Sequence, residues 1–176
     1  MRSLMFVSVP RTVKRVIYAL LILALAWFWI VLGASPALAE TTFLNYSNAN
    51  LTGKDLSNQN FEGGVFVSAE MREANFQGAN LKNTMLTKGN LLGANLSGAN
   101  LEGSLVDRVT LYKANLTNAI FIGATLSNSI LDEADVTGAD FTDAIVDRYT
   151  TSQLCKRASG TNSTTGADTR ESLGCR

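Results

Sequence analysis

The sequence predicts an all-β solenoid, a chain wound into square coils of four five-residue sides. Three observations predict it. An apolar residue returns at every fifth position from Tyr46 to Val146. A small residue stands two places before most of these, and Gly, Asn, Ser or Thr, the turn formers, follow two or three places after. A period of five is neither the 3.6 of a helix nor the 2 of a plain strand.

The apolar centres run Tyr46, Leu51, Leu56, Phe61, Phe66, Met71, Phe76, Leu81, Leu86, Leu91, Leu96, Leu101, Val106, Leu111, Leu116, Phe121, Leu126, Leu131, Val136, Phe141 and Val146, with no break in register. The small residue two places earlier is most often alanine, as in Ala74, Ala94 and Ala134; Lys54, Gln59 and Val109 depart from the rule. Residues two apart in an extended segment face the same way, so the small residue and the centre both point inward and the residue between them points out. The next two residues turn the chain. If each corner is about a right angle, four sides close a coil after twenty residues, and the next coil stacks about 4.8 Å away, giving a rod roughly 25 Å long.

A four-sided coil stacks residue n on residue n+20. Glu62, Lys82 and Glu102 then alternate in one column, Lys113 meets Glu133, and Asn75, Asn95 and Asn115 form a polar ladder between Asp55 and Asp135. Lys88 on Arg108 is the one unfavourable stack.

The Ala-(Asp/Asn)-Leu-x-x pattern, seen in Ala79-Asn80-Leu81, Ala94-Asn95-Leu96 and Ala99-Asn100-Leu101, resembles the pentapeptide-repeat family. The resemblance implies a right-handed quadrilateral β-helix of about five coils with a short helical C-terminal cap, its bore filled by Leu51, Leu56, Phe61, Phe66, Met71, Phe76, Leu81, Leu86, Leu91, Leu96, Leu101, Leu111, Leu116, Phe121, Leu126, Leu131 and Phe141. The leader and the tail together are similar to exported thylakoid-lumen members of cyanobacteria and chloroplasts, which implies the lumen or a periplasm as address.

Residues 1–39 read as a signal peptide. Arg2, Arg11, Lys14 and Arg15 precede the apolar run Val16 to Leu32, and Ala37-Leu38-Ala39 offers an A-x-A cleavage site before Glu40. The alternative is a retained anchor, for which the run lies at the lower limit of length. Residues 40–148 form the repeat domain and residues 149–176 the cap. Removing residues 1–39 takes four of 15 basic residues and none of 15 acidic ones, leaving a net charge of −4. Nucleic acid is therefore not an expected partner, because phosphate binding needs concentrated Lys and Arg. In an exported chain the two cysteines, Cys155 and Cys175, are expected to form a disulfide, worth about 3 kcal/mol by loop entropy. A helical turn is expected at Ser152 to Ala158 and a second at Thr169 to Leu173.

The chain contains no histidine, so the commonest general base and metal ligand is missing. Its serines and threonines have no such base beside them, and a filled bore leaves no substrate cavity. No enzyme, cofactor or metal is expected. One wall is less polar than the rest: Val65, Met85 and Leu105, with Ile145 further up, stand at outward positions twenty residues apart and define a candidate partner stripe. The leading expectation is thus an exported, non-enzymatic scaffold for a protein partner, with a homodimer as one form of contact. Two alternatives are a DNA-mimic gyrase-interacting protein, which the export signal and mixed charge disfavour, and a weak cation binder using the acids at Asp132, Glu133, Asp135, Asp140, Asp143 and Asp147.

Overall fold

A computed structural model describes residues 44–176 and, in the N-terminal segment, the helical residues 12–13, 16–18 and 20–23. The chain divides into two compact units, Met1–Thr42 and Phe43–Arg176. The cleavage site after Ala39 and most of the apolar run lie outside the described residues. No helix among the described residues is long and apolar enough to cross a membrane.

From Asn45 to Ile145 the second unit is a four-sided β-helix. Parallel bridges join each outward residue to the one twenty positions on: Asn45 to Val65, Val65 to Met85, Asn75 to Asn95, and so around every side. One side shows how the rest are built. Leu96 N–H donates to Asn115 O at 2.8 Å, Asn115 N–H donates back to Ala94 O at 2.9 Å, and Gly98 N–H donates to Thr117 O at 2.9 Å. The corner closes with Ala99 N–H donating to Leu96 O at 3.0 Å. The centre, the outward residue and the corner residue of a side are thus bonded through the backbone to the coils above and below and across the corner, which answers the demand of a buried backbone for partners.

The corner geometry explains the turn formers. The i to i+3 bond puts the second residue after each centre where a type II turn needs a positive φ. All such residues from Asn48 to Asp143 have one, whether glycine, as at Gly98 (φ 65°), or not, as at Lys88 (φ 59°) and Arg108 (φ 53°). Left-handed backbone costs a side-chain-bearing residue about 1–2 kcal/mol. The stacked coils impose the conformation even where the residue type resists it.

Inside, the centres from Phe61 to Phe141 are buried at 0–3% exposure, and their small partners from Gly64 to Ala139 are buried too, including Val109 at 1%. Fully burying a leucine here contributes about 2 kcal/mol. Tyr46 stacks on Phe66 with ring centroids 4.9 Å apart, Phe61 and Phe76 meet Phe66 edge-on, and Phe121 stacks on Phe141 at 5.2 Å. The first coil differs. Tyr46, Leu51 and Leu56 are only half-buried, and Lys54 and Gln59, at inward positions, are exposed. Leu51 and Leu56 were expected in the filled bore; among the described residues no coil precedes theirs to cover them.

The C-terminus is closed by two short helices, α1 (Arg148–Leu154) and α2 (Thr169–Ser172). Helix α1 starts earlier than the turn expected at Ser152, because the Asp147 carboxylate accepts the Thr150 N–H and caps it. Asp168 caps α2 in the same way. Cys155 and Cys175 are bonded, with Cα atoms 5.6 Å apart. Leu154 and Leu173 are buried in the hydrophobic core at that end.

Candidate interaction surface

The four walls carry different chemistry. On one, amides bond up the stack: Asn75 Nδ2 donates to Asp55 at 3.0 Å, Asn95 to Asn75 at 2.9 Å, and Asn115 to Asn95 at 3.2 Å. The same side-chain oxygens accept the N–H two residues on, as Asn95 does from Ser97. The ladder therefore consumes its own hydrogen-bonding capacity. Asn80 likewise donates to Asn60 at 2.8 Å on the wall of Asn60, Asn80 and Asn100.

The wall of Val65, Met85 and Leu105 offers carbon instead. Met85 and Leu105 are 45% and 36% exposed, while the short Val65 is half-buried. Ile145 is 61% exposed, but Thr125 stands between it and Leu105, so the contiguous apolar strip is three residues long. Charges frame it. Along the preceding corner Lys82 reaches Glu102 at 2.9 Å, and this bond holds the lysine above its usual pKa. Along the following corner Arg108 escapes its stack on Lys88 by turning to Asp107 at 2.7 Å. Exposed pairs of this kind contribute little to stability.

Other groups are committed to structure. Tyr112 donates to Glu133 at 2.6 Å, which lowers the carboxyl and raises the phenol, while Lys113 lies 3.6 Å from the same carboxylate. The acids between Asp132 and Asp147 do not form one column; they are distributed over successive corners and sides of the last coil, because five-residue spacing moves each to a new wall. Asp135 is lowered by the Thr137 backbone N–H, then its hydroxyl, and Asp147 by Thr150. Among the described residues no group of three acidic or cysteine side chains is arranged to hold a metal ion. A shallow depression between Asp143, Asp168 and Glu171 opens to solvent, and the Asp168 carboxylate there is taken up by the α2 N–H groups.

The cap does more than plug the bore. The loop after α1 folds down the wall of Asn60, Asn80 and Asn100. There the buried Asn162 donates to Asn118 O, Ala119 O and Gly138 O, and accepts from the Thr164 and Thr165 N–H groups. Ile120, at an outward position, is consequently 7% exposed, and Asp140 1%. Burial pushes Asp140 up, but hydrogen bonds from Thr142 and Thr165 outweigh it and hold the carboxyl below its usual range. Arg157 spans the top of the last coil, donating to Ala134 O and Leu131 O.

A coiled solenoid with walls of stacked amides and a filled bore defines a class of repeat protein rather than an individual one. A model of the family described as pentapeptide repeats matches residues 47–78, 65–103 and 110–146, in eight copies. The chain belongs to the pentapeptide-repeat family. Among solved structures it is similar to a pentapeptide repeat protein from the Arabidopsis thaliana thylakoid lumen. The two are 38% identical, with a TM-score of 0.71, over 82% of this chain and 97% of that one. It is also similar to a pentapeptide repeat protein from the cyanobacterium Cyanothece 51142, 30% identical with a TM-score of 0.52, covering 53% of this chain and 64% of that one. These neighbours imply that the β-helix is right-handed. No curated protein matches the chain.

Proposed function

We propose that the protein is an exported, non-enzymatic scaffold that docks a protein partner through the wall of Val65, Met85 and Leu105. The observation that carries this reading is the contrast between walls: that of Asn75, Asn95 and Asn115 is occupied by a self-satisfied amide ladder and that of Asn60 and Asn80 is covered further up by the cap loop, while this one places exposed carbon at fixed spacing on a rigid sheet. Exposed apolar strips bordered by polar groups are a common feature of contact surfaces. Likeness to the thylakoid-lumen protein supports the thylakoid lumen, or a periplasm, as the place of action. The lack of a histidine and the close-packed bore support a non-catalytic role.

The test is proximity labelling from the exported protein, wild type against Met85→Lys. A neighbour that is labelled by wild type and at least about tenfold less by the variant supports the docking wall, since a buried lysine charge at an interface core costs more than about 1.4 kcal/mol. Identical labelling by both removes it. The substitution leaves the fold intact, because position 85 faces solvent and lysine is tolerated at exposed strand positions.

A further inference from the structure

We propose that the processed protein is a head-to-head dimer, joined by antiparallel β-pairing of its two open N-terminal edges. The two ends of the rod are finished differently. At the C-terminal end Gly138 N–H donates to Ser159 O, Phe141 N–H donates to Ser172 Oγ, and Arg157 takes the carbonyls of Ala134 and Leu131. At the N-terminal end, among the described residues, nothing corresponds. Later coils show that each outward residue aims both backbone groups at the preceding coil: Val65 N–H donates to Leu44 O, and Val65 O accepts from Tyr46 N–H. Asn45, Asn50, Asp55 and Asn60 occupy that place in the first coil, and none of their backbone N–H or C=O groups is bonded within the described residues. Below them Tyr46, Leu51 and Leu56 remain half-buried. Among the described residues this sheet edge over apolar side chains has no partner, the arrangement that recruits another strand.

Reach and shape select the occupant. Cleavage after Ala39 leaves four residues, Glu40 to Phe43, before the first coil. They span at most about 14 Å and cannot retrace four sides. A square edge with four outward residues is matched on all sides only by another square edge. The C-terminal edge is occupied by its own cap, so a head-to-tail filament is blocked and the second N-terminal edge remains.

Symmetry then fixes the pairing. The edge is a ramp that climbs one strand spacing per coil, with its step at the corner where the first coil begins. A twofold axis through that corner, perpendicular to the rod, carries the ramp onto a parallel ramp and aligns the two steps. That axis also passes through the opposite corner, at Thr52 and Gly53. Asn45 then faces Asn60 of the second copy, and Asn50 faces Asp55, since the members of each pair lie equally far along the chain from an axis corner. A residue presenting both N–H and C=O, opposed to another such residue, is the hydrogen-bonded pair of an antiparallel ladder. The four pairs place amides against amides and each Asp55 against an amide, with no like charges in contact. Asn45 heads the wall of Val65 and Met85, but the pairing uses only its backbone edge and leaves the outward Met85 side chain, two coils away, free of the seam.

The experiment uses the exported chain, purified after processing, with its N-terminus sequenced. Sedimentation across a dilution series is expected to show a monomer–dimer equilibrium that Met85→Lys leaves unchanged. Asn50→Asp sets carboxylates against Asp55 of the second copy and is expected to weaken the dimer about tenfold or more. In the monomer the new carboxylate keeps the bond to the N–H two residues on, as Asp55, Asp135 and Asp140 do. It also stacks on Glu70 of the same chain, an exposed repulsion that the double variant retains and so controls for. Adding Asp55→Asn to Asn50→Asp restores dimerisation, which a merely structural effect does not predict. Spin labels at Thr52→Cys, on the axis, give a short intermolecular distance, and labels at Ser163→Cys, at the far end, give none in the measurable range. A chain that retains residues 1–39, a processed chain that is monomeric throughout, or a double variant that fails to recover overturns the proposal.

Discussion

Replacing Phe121 with alanine lowers the unfolding free energy by about 3–5 kcal/mol, the usual cost of deleting a buried ring. Phe121 is fully buried and lies parallel to Phe141 one coil above, with centroids 5.2 Å apart. Its position makes the loss more than local. A solenoid is held together by contacts between nearest coils, so its cooperativity depends on each interface. Removing the ring weakens the joint between the penultimate and last coils, and the cap rests on the last. Urea unfolding followed by a cap-specific probe and by far-UV circular dichroism is therefore expected to split, with the cap reporting a lower midpoint. Coincident curves with an unchanged midpoint would show that this ring does not couple the coils.

Changing Asn162 to alanine is expected to cost about 3 kcal/mol, because it leaves buried acceptors unpartnered. Its amide serves Asn118 O, Ala119 O and Gly138 O; Ala119 O keeps the Asp140 N–H, but the other two carbonyls have no further partner among the described residues, and the Asn162 carbonyl organises the Thr164 and Thr165 N–H groups. Releasing the loop uncovers Ile120 and returns Asp140 to water. The disulfide between Cys155 and Cys175 remains in place and tethers α2 near α1. Hydrogen exchange resolves the two contributions. The amides of Asn162 and Thr164 to Ala167 exchange faster in the variant, while those of Leu96 to Ala99 keep wild-type protection. Unaltered protection in the loop would mean that the asparagine is not its anchor.

The square coil was legible because two signals agree. Period five sets the side, and Glu102 returning to Lys82 at twenty residues sets the number of sides. The ladder through Asn75, Asn95 and Asn115 was legible for the same reason. What the pattern does not encode is where it ends. Leu51 and Leu56 carry the same residue type as Leu96, yet lie half-open, because burial depends on having a coil on both sides. Ile120 resembles Met85 as an outward apolar residue, and only the descent of the polar loop around Asn162, well beyond the repeats, separates a covered residue from an exposed one. The start of α1 was present in the sequence as Asp147 three places before Thr150, a capping pair that the turn expected at Ser152 overlooked. The candidate wall was legible as a column, but Thr125 within that column shortens it.

Residue n lies on residue n+20 from the first coil to the last, so that centres fill the bore and only the walls face the solvent. Nuclear Overhauser contacts in the labelled protein measure this directly. Contacts between Asn95 and Asn115, and between Leu96 and Leu116, are the predicted result, repeated around every side. Contacts at n+15, which would make the coil three-sided, or water-exposed methyl groups at Leu96 and Leu116, would contradict it.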